Sequence, residues 1–277
     1  MSSFSAQWLD LREPLDAASR APGLAGSLIE ALTVGRQRSG RLAIVDLGAG
    51  TGANLRYAAP LIGGAQDWLL VDNDPTLQAA VAERMRAWVP APMMADCRVR
   101  HLTLDLATQL QQLPLTAGTL LTASALLDLV SEQWLRGLAG RAADAAASVW
   151  FALSYDGRID CLPGEPEDGE VRELFNLHQR RDKGFGPALG PAAARVAEEV
   201  FTQQGYRIDC APSDWYLGPT QPALQHALVQ GWFEAACDIA PHRTPALRGW
   251  LTRRQAHIDA ARSQLQVGHV DLVGRPA

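Results

Sequence analysis

A chain of 277 residues that is 47% hydrophobic and 20% charged carries enough apolar material for a sizeable core, as one domain or as a domain with insertions. Its 30 acidic and 25 basic residues give a net charge of −5, which argues against nucleic acid as the main partner, because phosphate binding needs a concentrated basic surface. No apolar run reaches the ~18 residues that span a bilayer and no charged-then-apolar signal pattern opens the chain, so a cytoplasmic protein with no membrane partner is expected.

The stretch 1–40 reads as a helical prefix, in which Trp8-Leu9-Asp10-Leu11-Arg12-Glu13-Pro14 ends one helical turn and opens the next. From residue 41 onward, apolar runs alternate with helical patterns, which predicts an α/β domain over 41–277: a doubly wound, seven-stranded, mostly parallel sheet with helices on both faces. The strands are expected at 42–47, 68–72, 97–104, 119–123, 148–154, 205–211 and 264–273. The last of them alternates apolar and polar residues and is expected to run antiparallel.

The first strand ends in Asp46-Leu47-Gly48-Ala49-Gly50-Thr51-Gly52. Gly48, Gly50 and Gly52 allow a tight turn into a helix from Ala53 to about Leu61, with no Cβ to keep a ligand at a distance. The spacing of Gly48, Gly50 and Ala53 also satisfies a dinucleotide fingerprint, and Asp72, at the tip of the second strand, suits a ribose under either cofactor. Asp46 separates the two readings: its carboxylate would repel a pyrophosphate and attract a cofactor that carries an ammonium and a sulfonium. Pro75 opens a further helix through its fixed φ.

Two segments interrupt the later part of the chain. In 156–190, Asp156-Gly157-Arg158 is placed at a strand tip beside the ligand crevice of an open α/β sheet, and a helix from about Asp168 to Arg181 carries Phe175, His178, Gln179 and Arg180. Asp156, Arg180 and Lys183 are the candidates for holding an acceptor; the alternative for Arg180-Arg181-Asp182-Lys183 is a solvated charged face. Gly184-Phe185-Gly186-Pro187 reads as a lid hinge or a tight connection. The segment 191–204 has helical spacing. In 220–262 a helix pair carries Trp232, Phe233 and Trp250 at spacings that suit a core or a homodimer interface. Cys97, Cys161, Cys210 and Cys237 form no C-x-x-C pair, so neither a metal nor a disulfide framework is expected.

Asp46 through Gly52 matches acid-x-G-x-G-x-G, and in this motif the chain resembles the class I S-adenosylmethionine-dependent methyltransferases, of the bacterial small-molecule type. The resemblance implies S-adenosyl-L-methionine as cofactor. It further implies that Asp72 takes both ribose hydroxyls and that Asp105, with Leu106, reads the adenine. Asp46, Gly48, Ala49, Gly50, Gly52, Asn54 and Asn73 then surround the cofactor. Ser124, within 122–128, faces the methyl group and the acceptor. A prefix lids the cofactor in many members, so Arg12 could close over the methionine end; for Trp8 a packing role is preferred.

The activity implied is in-line transfer of a methyl group to an O or N atom of a small polar or anionic metabolite, in which the protein's main work is alignment. Removing a proton from the acceptor needs a base, and His178, Asp128 and Tyr155 are the candidates; Asp128 reads equally as a helix cap before Ser131. A cofactor-binding protein without turnover and a nicotinamide oxidoreductase stay open as alternatives.

Overall fold

The computed structural model describes residues 5–24, 26, 28–29, 32, 40–88 and 96–277, so part of the expected 1–40 prefix lies outside the described residues. Apolar β-rich runs become strands β1 (Leu42–Leu47), β2 (Gln66–Asp72), β3 (Cys97–Thr103), β4 (Leu120–Ser124), β5 (Ser148–Leu162), β6 (Tyr206–Pro212), β7 (Trp215–Leu217) and β8 (Gln264–Pro276). They form one sheet in the order β3-β2-β1-β4-β5-β8-β6, with β7 also paired to β8. Pairings among β1 to β5 are parallel, and β8 runs antiparallel to β5, β6 and β7. The doubly wound sheet and its antiparallel last strand are therefore as expected.

Two details differ. Among the described residues the sheet has eight strands, because Trp215–Leu217 adds a short strand against β8 rather than merely ending the sixth. Strand β5 also continues eight residues past Ser154, to Leu162. Its second half pairs with the first half of β8, from Ile159 opposite Val267 to Leu162 opposite Gln264. Asp156-Gly157-Arg158 thus sits inside a register shift of a long strand, not at a strand tip. The shift falls where the local residues read as the end of the strand, while pairing with β8 keeps the strand going.

The helices are α1 (Ala6–Ser19), α2 (Ala53–Ile62), α3 (Pro75–Trp88), α4 (Leu106–Gln109), α5 (Glu132–Asp144), α6 (Asp168–Gln179), α7 (Ala193–Gln203), α8 (Pro222–Ile239) and α9 (Thr244–Asp259). On one face of the sheet, Leu47, Leu121 and Phe151 pack with Leu135 and Leu138 of α5 and Phe201 of α7. On the other, Ile44, Leu70, Trp68 and Trp150 pack with Leu55 and Ala58 of α2. A third cluster joins α6, α8 and α9 to the β5–β8 extension, with Trp232, Phe233 and Trp250 at its centre. These three aromatics are 3%, 7% and 1% exposed, so they serve the core rather than a free face. Asp168 locks the cluster, accepting from Trp250 Nε1 at 2.8 Å and from the buried Arg254 Nε at 3.0 Å.

Among the described residues, no helix is long and apolar enough to cross a membrane. None of their His, Cys, Asp and Glu side chains gather in a group of three able to hold a metal ion.

Candidate functional site

Strand β1 delivers its last residues at the carboxyl edge of the sheet, where the chain must reverse into α2. Gly48, Gly50 and Gly52 make that reversal at φ of 61°, 52° and 81°, in the left-handed region that favours glycine. The turn is pinned to the neighbouring strand: Asp72 Oδ2 accepts from the Gly50 N–H at 2.8 Å, and Oδ1 from the Asp74 N–H at 2.9 Å. Each carboxylate oxygen keeps a further lone pair for a ligand hydroxyl. Gly52 plays a different part, because its Cα faces Val81, whose Cγ1 would lie 3.3 Å from an added Cβ. It allows α2 and α3 to approach.

Helix α1 lies across this turn, with Leu9 Cδ1 only 3.3 Å from where a Gly50 Cβ would be. Ser5 caps the helix by accepting from the Trp8 N–H at 3.1 Å, and ion pairs hold it down. Glu13 takes both Arg56 Nε at 2.7 Å and Arg56 Nη2 at 2.5 Å, and Asp10 takes Arg84 Nη2 at 2.5 Å. Trp8 packs partly buried on the third cluster, as its packing reading requires.

Two cavities open on either side of the turn and share Leu9, Arg12, Gly48, Gly50 and Ser124. The first, about 280 Å³, is walled by Asp72, Asn73, Asp105, Leu106, Ala125, Lys183 and Phe185. Asp105 caps α4 there, accepting from the Ala107 N–H at 3.0 Å and the Thr108 hydroxyl at 2.9 Å. The second, about 290 Å³, is walled by Asp16, Arg20, Asp46, Ala49, Asn54 and Tyr57.

Asp46 is fully buried in that second wall. Its Oδ1 accepts from Asn54 Nδ2 at 2.7 Å, and the same amide donates to Thr122 Oγ1 at 3.0 Å. Oδ2 has no hydrogen-bond partner among the described residues. Burial pushes this carboxyl up to about 7, against the opposing pull of the Asn54 hydrogen bond and of Arg20. Arg20 reaches the wall from the end of α1. Its Nη1 donates to Asn54 Oδ1 at 3.0 Å, and its guanidinium lies 4.5 Å from the Tyr57 ring centre and 5.1 Å from that of Trp150.

Asp128 lines neither cavity; it lies between the wall residues Leu126 and Leu129, is 8% exposed, and its Oδ1 has no partner among the described residues. Burial raises its carboxyl to about 6, while Arg12 and Lys183 draw it down. It is not the cap of α5; Ser131 is, accepting from the Trp134 N–H at 3.2 Å. Lys183 lines the first cavity, and burial followed by repulsion from Arg181 lowers its pKa. Arg12 reaches both cavities, with Nε donating to Asp16 Oδ2 at 2.8 Å.

His178, Tyr155, Arg180 and Asp156, like Asp128, stand apart from both cavity walls. His178 lies 3.6 Å from Asp238 and 3.4 Å from Lys183 Nζ. The buried Tyr155 hydroxyl donates to Asn176 Oδ1 at 2.7 Å, and burial raises its pKa further above the phenol range. Arg180 is exposed at the end of α6. Asp156 is engaged by Arg158, whose Nε donates to it at 2.7 Å. Asp16, Arg20 and the buried Asp271 beneath Arg20 are the site residues that sequence reasoning missed. They belong to no motif, and no local pattern marks them.

No protein-family model and no curated protein matches the sequence. Solved structures do resemble it. The cyclopropane synthase MmaA2 from Mycobacterium tuberculosis shares 10% identity over 84% of this chain and 78% of its own, at a TM-score of 0.44. The mycolic acid cyclopropane synthase CmaA1, complexed with S-adenosylhomocysteine, shares 11% over 84% and 78%, at 0.46. A phosphoethanolamine N-methyltransferase from Haemonchus contortus shares 14% over 85% of this chain and 49% of its own, at 0.41. Likenesses of this degree concern overall architecture and assign no activity to this chain.

Proposed function

We propose that the chain is an S-adenosylmethionine-dependent methyltransferase that moves a methyl group by in-line displacement to an O or N atom of a small polar acceptor. One observation carries this reading: two cavities meet over a single glycine turn, one lined by the carboxylates Asp72 and Asp105, the other beside the unpartnered Asp46 Oδ2. A ribose and adenine suit the first, and a cationic amino-acid end suits the second, so the residues present fit this cofactor. When bound it supplies a methyl already activated by the sulfonium. Gly48, Gly50 and Ser124, common to both cavities, then flank the region where the two ends of such a ligand join.

Asp128 is the favoured base. It is buried, it keeps one unpartnered oxygen, and Arg12 and Lys183 stabilise its charge. The same two cations favour an acceptor that carries a carboxylate or phosphate. Asp128→Asn is expected to lower kcat roughly 10²- to 10⁴-fold. At saturating cofactor, wild-type kcat is expected to rise with pH through about 6 and then level off, because the base works only when ionised. An Asp128→Asn enzyme with wild-type kcat would remove Asp128 from the chemistry.

Asp46 links cofactor affinity to pH. Only its ionised form attracts an ammonium, so affinity for S-adenosylhomocysteine is expected to fall about tenfold from pH 8 to pH 6, following the raised carboxyl. Asp46→Asn is expected to flatten that profile, and a steep profile surviving in the variant would place the titrating group elsewhere.

Calorimetric titration with S-adenosylmethionine, S-adenosylhomocysteine and NAD tests the class itself. Binding of the first two and silence from NAD is expected; binding of NAD alone would assign Asp72 to a nicotinamide ribose. The non-catalytic alternative is tested by incubation with S-adenosylmethionine and metabolite fractions, in which turnover releases S-adenosylhomocysteine.

A further inference from the structure

Three arginines and three acids line the second cavity: Arg12, Arg20, Arg56, Glu13, Asp16 and Asp46. Most of this charge is used within the protein. Arg56 is held by Glu13 through two hydrogen bonds, and Arg12 Nε is held by Asp16 Oδ2. Arg20 differs. It is 5% exposed, its Nε lies 3.4 Å from Asp271 Oδ2 without a hydrogen bond, and its Nη2 has no partner among the described residues. A buried guanidinium hydrogen with nothing to donate to is costly, unless a ligand oxygen completes it.

The unpartnered atoms of the wall are therefore of both signs: Nη2 of Arg20, and oxygens of Asp46 and Asp16. Asn54 ties the two ends together, since it accepts from Arg20 Nη1 and donates to Asp46 Oδ1. The spacing of one amide separates a cation from an anion, which is the charge pattern of a receptor for an α-amino acid. An ammonium alone would need only Asp46. We infer that Arg20 reads the carboxylate of the cofactor's methionine end through its free Nη2, making this chain selective for a ligand with an intact amino-acid group. The inference rests on the methyltransferase reading and adds to it a residue outside the shared motifs. Arg12, already paired with Asp16, is left to face the acceptor.

The test uses three ligands in calorimetric titration of the full chain: S-adenosylhomocysteine, its decarboxylated analogue, which keeps the ammonium, and 5′-methylthioadenosine, which has neither group. Wild-type protein is expected to prefer S-adenosylhomocysteine over the decarboxylated analogue by roughly 10- to 100-fold, the worth of one charged hydrogen bond. Arg20→Gln is expected to reduce that preference to about threefold or less, while affinity for 5′-methylthioadenosine stays within about twofold and reports an intact adenosine site. Arg20→Lys, which keeps a cation against Asp271, is expected to narrow the preference and serves if the glutamine variant does not fold. Arg12→Gln is expected to keep it. A preference that survives in both Arg20 variants, or that vanishes in Arg12→Gln instead, overturns the inference while the methyltransferase reading stands. Wild-type protein that binds none of the three ligands overturns both.

Discussion

Asp271→Asn is expected to lower folding stability by about 3–5 kcal/mol, the scale for breaking a buried ion pair by removing one charge. Asp271 is 0% exposed. Its Oδ1 accepts from the Leu153 N–H at 2.8 Å, its Oδ2 accepts from the Ala21 N–H at 3.1 Å, and Oδ2 also faces Arg20 Nε. An amide in its place presents an N–H toward one of these donors and leaves Arg20 without its countercharge. Leu153 depends on the other oxygen, Oδ1, and holds a left-handed φ of 54° within a second register shift of β5, between Phe151 and Ser154. The measurement is urea unfolding, with a lowered midpoint and an unchanged slope. Adding Arg20→Met to Asp271→Asn is expected to cost less than the sum of the two single changes, because the stranded charge is gone. A loss below about 1 kcal/mol would mean that Asp271 is not the group that keeps Arg20 charged in the interior.

Asp72→Ala is expected to weaken S-adenosylhomocysteine binding by about 100-fold or more, since hydrogen bonds to a charged group are worth about 1.5–3 kcal/mol each and a ribose offers two hydroxyls. The same change also releases the Gly50 N–H, which loosens the turn that both cavities share. Asp72→Asn keeps an acceptor for that N–H and is expected to fall between wild type and Asp72→Ala. Thermal unfolding of the apo protein separates the two effects, because loss of ribose contacts leaves it unchanged whereas loosening of the turn lowers it. Affinity within tenfold of wild type for Asp72→Ala would remove Asp72 from the ribose.

How far each feature was readable follows from how far apart its determinants lie. The strands expected at 42–47, 68–72, 97–104 and 119–123 are observed as Leu42–Leu47, Gln66–Asp72, Cys97–Thr103 and Leu120–Ser124. Buried parallel strands are continuous apolar runs, so local composition marks them. The second half of β5 is marked only by its partner strand, some hundred residues later, while Asp156-Gly157-Arg158 reads locally as a strand tip. Similarly, His178, Arg180 and Lys183 lie within six residues of one another, yet only Lys183 reaches a cavity wall. His178 belongs to α6 and Arg180 caps it, whereas Lys183 follows the helix in the connection beyond Gln179, a placement that residue type does not encode.

By itself, the sequence determined the glycine turn between β1 and α2, the acids at the two strand tips flanking it, and the alternation that makes a doubly wound sheet. Each of these depends on backbone freedom or periodicity within a few consecutive residues. The tertiary structure alone decided that Arg20 and Asp271, 251 positions apart, meet beneath Asn54 and Asp46. Singly, each is an ordinary charged residue that could face water; only burial together leaves Arg20 Nη2 unpartnered in a wall that also holds unpartnered oxygens of Asp46 and Asp16.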